Sequence, residues 1–109
     1  SAGHFNYVGD SILGNDTNLG AGAIISNLKS GSKNSEIKVT YFAQNQKTGL
    51  EKLGALVGDG VKIGSNCVTA PGTVIRQNSV IYPLTFVRGE ILKDKIVKNK
   101  SDIEIVEKT

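Results

Sequence analysis

His4 is the one histidine of the sequence, and imidazole is the side chain whose unperturbed pKa lies nearest neutrality. It is a candidate general base; the plainer alternative is an exposed ring close to the start of the sequence. Asn18 and Asn27 could serve a polar ligand, or could occupy turns by bonding their own backbone. Cys67 is the single cysteine, which excludes an internal disulfide. It falls in a slot facing the interior and reads as a small buried hydrophobe rather than a nucleophile. A lone histidine with one or two Asp-x-Gly turns assembles no metal-ligand set.

Side chains of this kind need a scaffold, and residues 57–91 define one. Val57, Ile63, Thr69, Ile75, Ile81 and Val87 recur every six residues. Two residues before each later mark sits a smaller side chain: Val61, Cys67, Thr73, Ser79 and Thr85. Residues two apart on a strand share a face, so each pair points inward together. A period of six drifts around a helix and builds no stripe on it. A fixed repeat of short strand plus turn instead predicts a hexapeptide β-helix, with three units, about 18 residues, to a triangular circuit.

The same repeat opens the chain. Val8, Leu13, Leu19 and Ile25 take the large inward slots, with Asn6, Ser11, Thr17 and Ala23 as companions and one residue deleted at the Asp10–Ser11 turn. On that count His4 lies below Ala21, and Asn27 lies one corner on. Residues 4–27 form a first coil, and the repeat stops over 28–56. There Ile37-Lys-Val-Thr-Tyr-Phe-Ala43 predicts a strand, Gln44–Gly49 a turn, and Leu50–Leu56 a return. This hairpin-like excursion is a candidate site wall, because long loops in compact domains commonly carry function. Residues 57–91 supply roughly two further coils. A lysine-rich tail, 92–109, breaks the period, with Ile103–Val106 as a possible outer strand. The whole of 1–109 reads as a single β-helix domain.

Thirteen glycines, no tryptophan and 6% aromatics suit a turn-dense β solenoid. The net charge of +3 is a mild bias concentrated in the tail, and without interleaved aromatics it predicts no nucleic-acid surface. No apolar run reaches membrane-spanning length and no signal-peptide pattern is present, so the expectation is a soluble cytoplasmic protein without membrane contact. The outward slots Val68, Val74, Val80 and Phe86 are all apolar, with Val68 expected under Phe86 and Val74 under Leu92. Exposed apolar stripes mark contact surfaces, and a triangular prism closes most naturally as a homotrimer.

The segment His4-Phe-Asn-Tyr7-Val-Gly9-Asp10, followed by Asn18-Leu-Gly20-Ala21-Gly22 and then Asn27, closely resembles one known acetyltransferase domain. It belongs to the bifunctional N-acetylglucosamine-1-phosphate uridylyltransferase/glucosamine-1-phosphate acetyltransferase family and related sugar-1-phosphate nucleotidylyltransferases. The resemblance implies an all-β, left-handed parallel β-helix, a homotrimer, and sites between adjacent subunits. It also implies an upstream nucleotidyl-transferring domain that this sequence does not include, and any metal would belong there. By position, His4 matches the catalytic base that deprotonates the sugar's 2-amino group as it attacks acetyl-CoA. Tyr7, Asn18 and Asn27 match contacts to the amino-sugar 1-phosphate. Ala21 and Ser65 match positions beside the acetyl group and thioester. Lys33 is the positional candidate for a phosphate-binding lysine, with Lys29 and Lys38 as alternatives.

The expected activity is therefore acetyl transfer from acetyl-CoA to an amino-sugar 1-phosphate in UDP-N-acetylglucosamine synthesis, with weak or no activity from the isolated fragment. Tyr82 and Pro83 replace small residues around the coenzyme-binding rungs. The alternative is a non-catalytic trimerisation module of a nucleotidylyltransferase.

Overall fold

The computed structural model describes residues 5–29, 36–100 and 103–108. Among them every regular element is a strand, and all but two strands are two residues long. Three parallel sheets form the sides of a column. One joins β1 (Tyr7–Val8), β4 (Ile24–Ile25), β9 (Val68–Thr69) and β12 (Phe86–Val87). The second joins β2 (Ile12–Leu13), β7 (Leu56–Val57), β10 (Val74–Ile75) and β13 (Glu90–Ile91). The third joins β3 (Asn18–Leu19), β8 (Lys62–Ile63), β11 (Val80–Ile81) and β14 (Ile96–Val97). The remaining pair, β5 (Lys38–Tyr41) and β6 (Gln44–Lys47), is an antiparallel hairpin. This is the expected all-β, left-handed parallel β-helix with an extruded hairpin.

The register follows the repeat. Tyr7 pairs with Ile24 at an offset of 17, as the deletion at Asp10–Ser11 requires. Val68 pairs with Phe86 and Leu56 with Val74, each at an offset of 18. The inward slots then stack into ladders. Leu19, Ile25, Ile75 and Ile81 are at most 1% exposed, and such burial stabilises by about 1.5–3 kcal/mol per large aliphatic side chain. Their small companions Ala23, Cys67, Thr73 and Ser79 are wholly enclosed, which leaves Cys67 as the inert space-filler expected. The corners take positive φ at Asp10, Asp16, Gly22, Asn66, Gly72, Asn78, Gly89 and Asp94. Asn, Asp and Gly are the residues that tolerate this region. Leu84, with φ of +61°, is the exception.

Four particulars differ from expectation. The column does not end at residue 91: β14 at Ile96–Val97 pairs with β11, so part of the lysine-rich segment lies in the helix. Two residues are missing at the Arg88–Gly89 corner, which shortens the last circuit to offsets of 16. Val74 consequently pairs with Glu90, not Leu92. The hairpin turn falls at Phe42–Ala43, and Gln44–Lys47 is a strand instead of a turn. Finally, Ile103–Val106 forms no strand, and its side chains are exposed.

Candidate active site

The corner between the first and second faces gathers three of the motif residues. Tyr7 points outward from β1, Asp10 sits on the turn that follows, and Asn27 occupies the same corner one circuit later. The Tyr7 hydroxyl donates to Asn27 Oδ1 at 3.1 Å, and Asn27 Nδ2 donates to Asp10 Oδ2 at 2.6 Å. A carboxylate only accepts, so Asp10 fixes the amide with its NH2 toward the corner and its oxygen toward Tyr7. Gly9 makes room for this arrangement, since a Cβ there would lie 2.4 Å from Asn27 Cγ. Asp10 lies within the motif, and the resemblance implies no role for it. Its signal was positional, because Asp10 and Asn27 occupy equivalent corners of successive circuits.

The neck of the hairpin is tied to the same corner. Leu53 N–H donates to the Asn27 carbonyl and Gly54 N–H to the Asp10 carbonyl, each at 2.9 Å. Leu28 and Lys52 form an antiparallel bridge just outside. Gly54 is required by close packing, because a Cβ would lie 2.0 Å from the Gly9 carbonyl oxygen. The chain therefore leaves and re-enters the column beside Asn27.

The body of the hairpin is clasped to the second face. Arg76 Nε lies 3.0 Å from Glu90 Oε2, and Glu90 also accepts from the N–H groups of Phe42 and Ala43 at 3.1 and 3.2 Å. The Arg76 guanidinium lies 4.2 Å from the Phe42 ring centroid and 4.7 Å from that of Tyr41, within cation–π range. Desolvation alone would raise the Glu90 pKa. The Ala43 and Phe42 N–H groups and the Arg76 charge outweigh it, leaving the carboxyl below its ordinary 4.5.

The remaining candidates are divided among other parts of the column. Ala21 and Ser65 stack on successive corners between the third and first faces, where Asn66 N–H donates to the Ala21 carbonyl at 3.0 Å. Both are exposed, and a Cβ on neighbouring Gly20 would lie 2.6 Å from Ser65 N. Asn18 points outward from the third face, away from Tyr7 and Asn27, and is exposed. Its neighbour there is the exposed Lys62, a cation that sequence reasoning overlooked because the extruded hairpin separates the two by 44 positions. His4 and Lys33 lie outside the described residues. Among the described residues no group of three or more His, Cys, Asp or Glu side chains is gathered as a metal site. No helix among them is long and apolar enough to cross a membrane.

A three-sided column of hexapeptide coils, with a polar corner beside an extruded hairpin, defines the hexapeptide-repeat β-helix class. No family model matches the chain. It is 39% identical over 88 residues to a bifunctional sugar-1-phosphate nucleotidylyltransferase/acetyltransferase of Sulfurisphaera tokodaii, covering 81% of this chain and 21% of that protein. It is 35% identical over 103 residues to the bifunctional protein GlmU of Methanococcus vannielii, covering 94% and 24% respectively. The GlmU of Thermosipho melanesiensis is 39% identical over 100 residues, covering 91% and 21%. By these similarities the chain belongs to the bifunctional sugar-1-phosphate nucleotidylyltransferase/acetyltransferase family, as part of its β-helix portion. It spans about a fifth to a quarter of the length of the curated relatives it matches.

Proposed function

We propose that this β-helix carries the acetyl-transfer half of the family's chemistry. Acetyl-CoA donates the acetyl group to the 2-amino group of an amino-sugar 1-phosphate of the glucosamine 1-phosphate type, in UDP-N-acetylglucosamine synthesis. The reading rests on the Asp10–Asn27–Tyr7 arrangement, a preorganised set of hydrogen-bonding groups within the segment that carries the family motif. An amine attacking a thioester must lose a proton near neutral pH, and His4 is the group suited to accept it. Asn27 and Tyr7 orient the sugar beside that base, with Asn18 as a further contact. Ser65 offers a hydroxyl or backbone N–H to the developing oxyanion, next to Ala21, and Lys33 is assigned to the phosphate. The reaction closes as His4 gives up the proton to solvent or to the departing thiolate. The working form in this proposal is a cytoplasmic homotrimer with sites between subunits.

The test is release of free thiol from acetyl-CoA in the presence of glucosamine 1-phosphate. His4→Ala is expected to lower kcat by about 10²–10⁴-fold, the usual contribution of a positioned acid–base group. Equal rates for the two proteins would remove His4 as the base. A second reading, in which the column only assembles a nucleotidylyltransferase, draws on the exposed apolar residues Ile12, Ile24 and Phe86. It would be favoured by intact assembly without acetyl-CoA binding in calorimetry.

A further inference from the structure

The hairpin covers only part of the second face. Its strand β5 packs against β10 and β13, on the later circuits. Toward the first circuit the outward residues Ile12, Leu56 and Val74 stand in register, one above another, as an apolar floor. A groove of about 290 Å³ opens between this floor and the hairpin tip. Tyr41 forms one wall, and Arg76 and Gln77 close one end. Ile12, 68% exposed, lies at the open side. Among the described residues Arg76 is the one charged group in the lining, and it is only partly engaged. Glu90 lies 3.0 Å from its Nε, and the Tyr41 and Phe42 rings stack on the guanidinium. Nη2 is enclosed and finds no hydrogen-bond acceptor among the described residues. A buried polar group left unpaired in a folded chain is commonly answered by a water, an ion or a ligand. None of the described residues assigned to acetyl transfer lies on this face, so the groove is separate from that chemistry.

We infer that this groove binds a small monocarboxylic acid, its carboxylate on the terminal N–H groups of Arg76 and its hydrocarbon part along Ile12, Leu56 and Val74. A guanidinium is a planar fork that matches the two oxygens of a carboxylate, and Glu90 occupies only its Nε side. The Gln77 amide adds a donor at the same end of the groove. Glu90 also limits the charge the ligand can carry. Its carboxylate offsets much of the Arg76 charge, so a dianion meets twice the repulsion that a single negative charge does. A neutral acceptor, in turn, gains weaker hydrogen bonds from the same N–H groups. The apolar floor favours an organic acid over a bare inorganic ion, because covering Ile12 and Leu56 removes hydrocarbon from water. The volume stands at the foot of the small-molecule range, roughly 300–1,000 Å³, which limits the hydrocarbon part to a short chain or a single ring.

Titration of the isotope-labelled 109-residue chain with sodium hexanoate, followed by backbone amide chemical shifts, tests it. Saturable shifts are expected at Ile12, Leu56 and Gln77, while Asn18 and Ser65, on other sides of the column, keep theirs. Hexanamide has the same shape without the charge, and is expected to bind about tenfold more weakly, the loss of one charge-assisted contact. Arg76→Lys keeps the charge and loses the fork, and should weaken hexanoate binding by a similar factor. The Phe42 and Ala43 amides report whether the hairpin clasp survives that change. Ile12→Glu leaves the clasp untouched and sets a like charge at the open side of the floor, so it should abolish the shifts while the rest of the spectrum stays as in the parent. An absence of saturable shifts in the parent would overturn the inference. So would equal affinities for hexanoate and hexanamide, or undiminished hexanoate binding by Ile12→Glu.

Discussion

Asn27 keeps its amide in one orientation because Asp10 accepts at one end and Tyr7 donates at the other. Each contact is exposed, so each adds little to folding; a net hydrogen bond is worth about 0.5–1.5 kcal/mol even where water is scarce. Their consequence lies in orientation. With Nδ2 held by a carboxylate, Asn27 presents a defined lone pair and one free N–H to a ligand. In the proposed reaction Asp10 acts through Asn27, as a positioning residue. Its φ of +40° makes Asp10→Gly the informative change, because glycine keeps the backbone while the carboxylate is lost. Acetyl transfer by Asp10→Gly is expected to fall about tenfold in kcat/KM, as for an amide free to rotate out of place. Asp10→Asn, whose side-chain carbonyl still accepts, should recover most of the rate. Equal activity in all three proteins, measured by thiol release with melting temperatures alongside, would show that the amide needs no lock.

The hairpin β5–β6 is held by contacts from distant parts of the sequence. Two-residue hairpin turns with positive φ at both positions favour Asn-Gly or Asp-Gly, yet here they fall on Phe42 and Ala43, with φ of +51° and +59°. Glu90 takes both turn N–H groups and Arg76 stacks on the Phe42 ring, which offsets the local strain. The sequence does not mark this turn, because Phe-Ala carries no turn chemistry while Gln44–Gly49 does. Its carboxylate partner reaches the right slot only through the two-residue deletion at Arg88–Gly89. The inward ladder was legible because a period of six has one reading, and Ile25, Ile63, Ile75 and Ile81 all face the core. The Asn18–Lys62 neighbours were not, since the inserted hairpin hides their register. Protonation tests the clasp. The Glu90 pKa is lowered in the folded chain, so its contribution is fully present above the ordinary 4.5 and is lost as pH falls through the lower folded value. The protection factors of the Phe42 and Ala43 amides, taken against the intrinsic rate at each pH, should therefore fall as pH drops below 4.5, while core amides such as Ile75 keep theirs. Glu90→Gln should show the fast exchange already at neutral pH. Equal protection in parent and variant across that range would mean the turn stands without its carboxylate.

A single column leaves the proposed site divided. Tyr7 and Asn27 belong to the corner beside the first face, Ala21 and Ser65 to the corner on its other side, and Asn18 to the third face. A rigid column with buried ladders does not fold one side onto another, so a ligand touching Asn18 and Asn27 together must bridge two copies. The outward residues fit that demand: Ile24 and Phe86 on the first face, and Ile96 on the third, are each 42–58% exposed. Apolar area of this kind gains about 25 cal/mol per Å² when covered, and joining unlike faces around a three-fold axis closes the set without leaving a face over. Sites shared in this way make a quantitative demand on mixtures. Asn18→Ala and Asn27→Ala, each inactive alone, should regain activity when co-expressed, because a trimer then contains some interfaces with both asparagines intact. With random assembly that fraction is about a quarter of the sites, each contributing residue being intact half the time. Thiol release near a quarter of the parent rate, from a species that sediments as a trimer, is the expected result. No recovery from a mixed trimer would put both asparagines in one subunit's site. A monomer in sedimentation would remove the shared site altogether, since one column presents these residues on different sides.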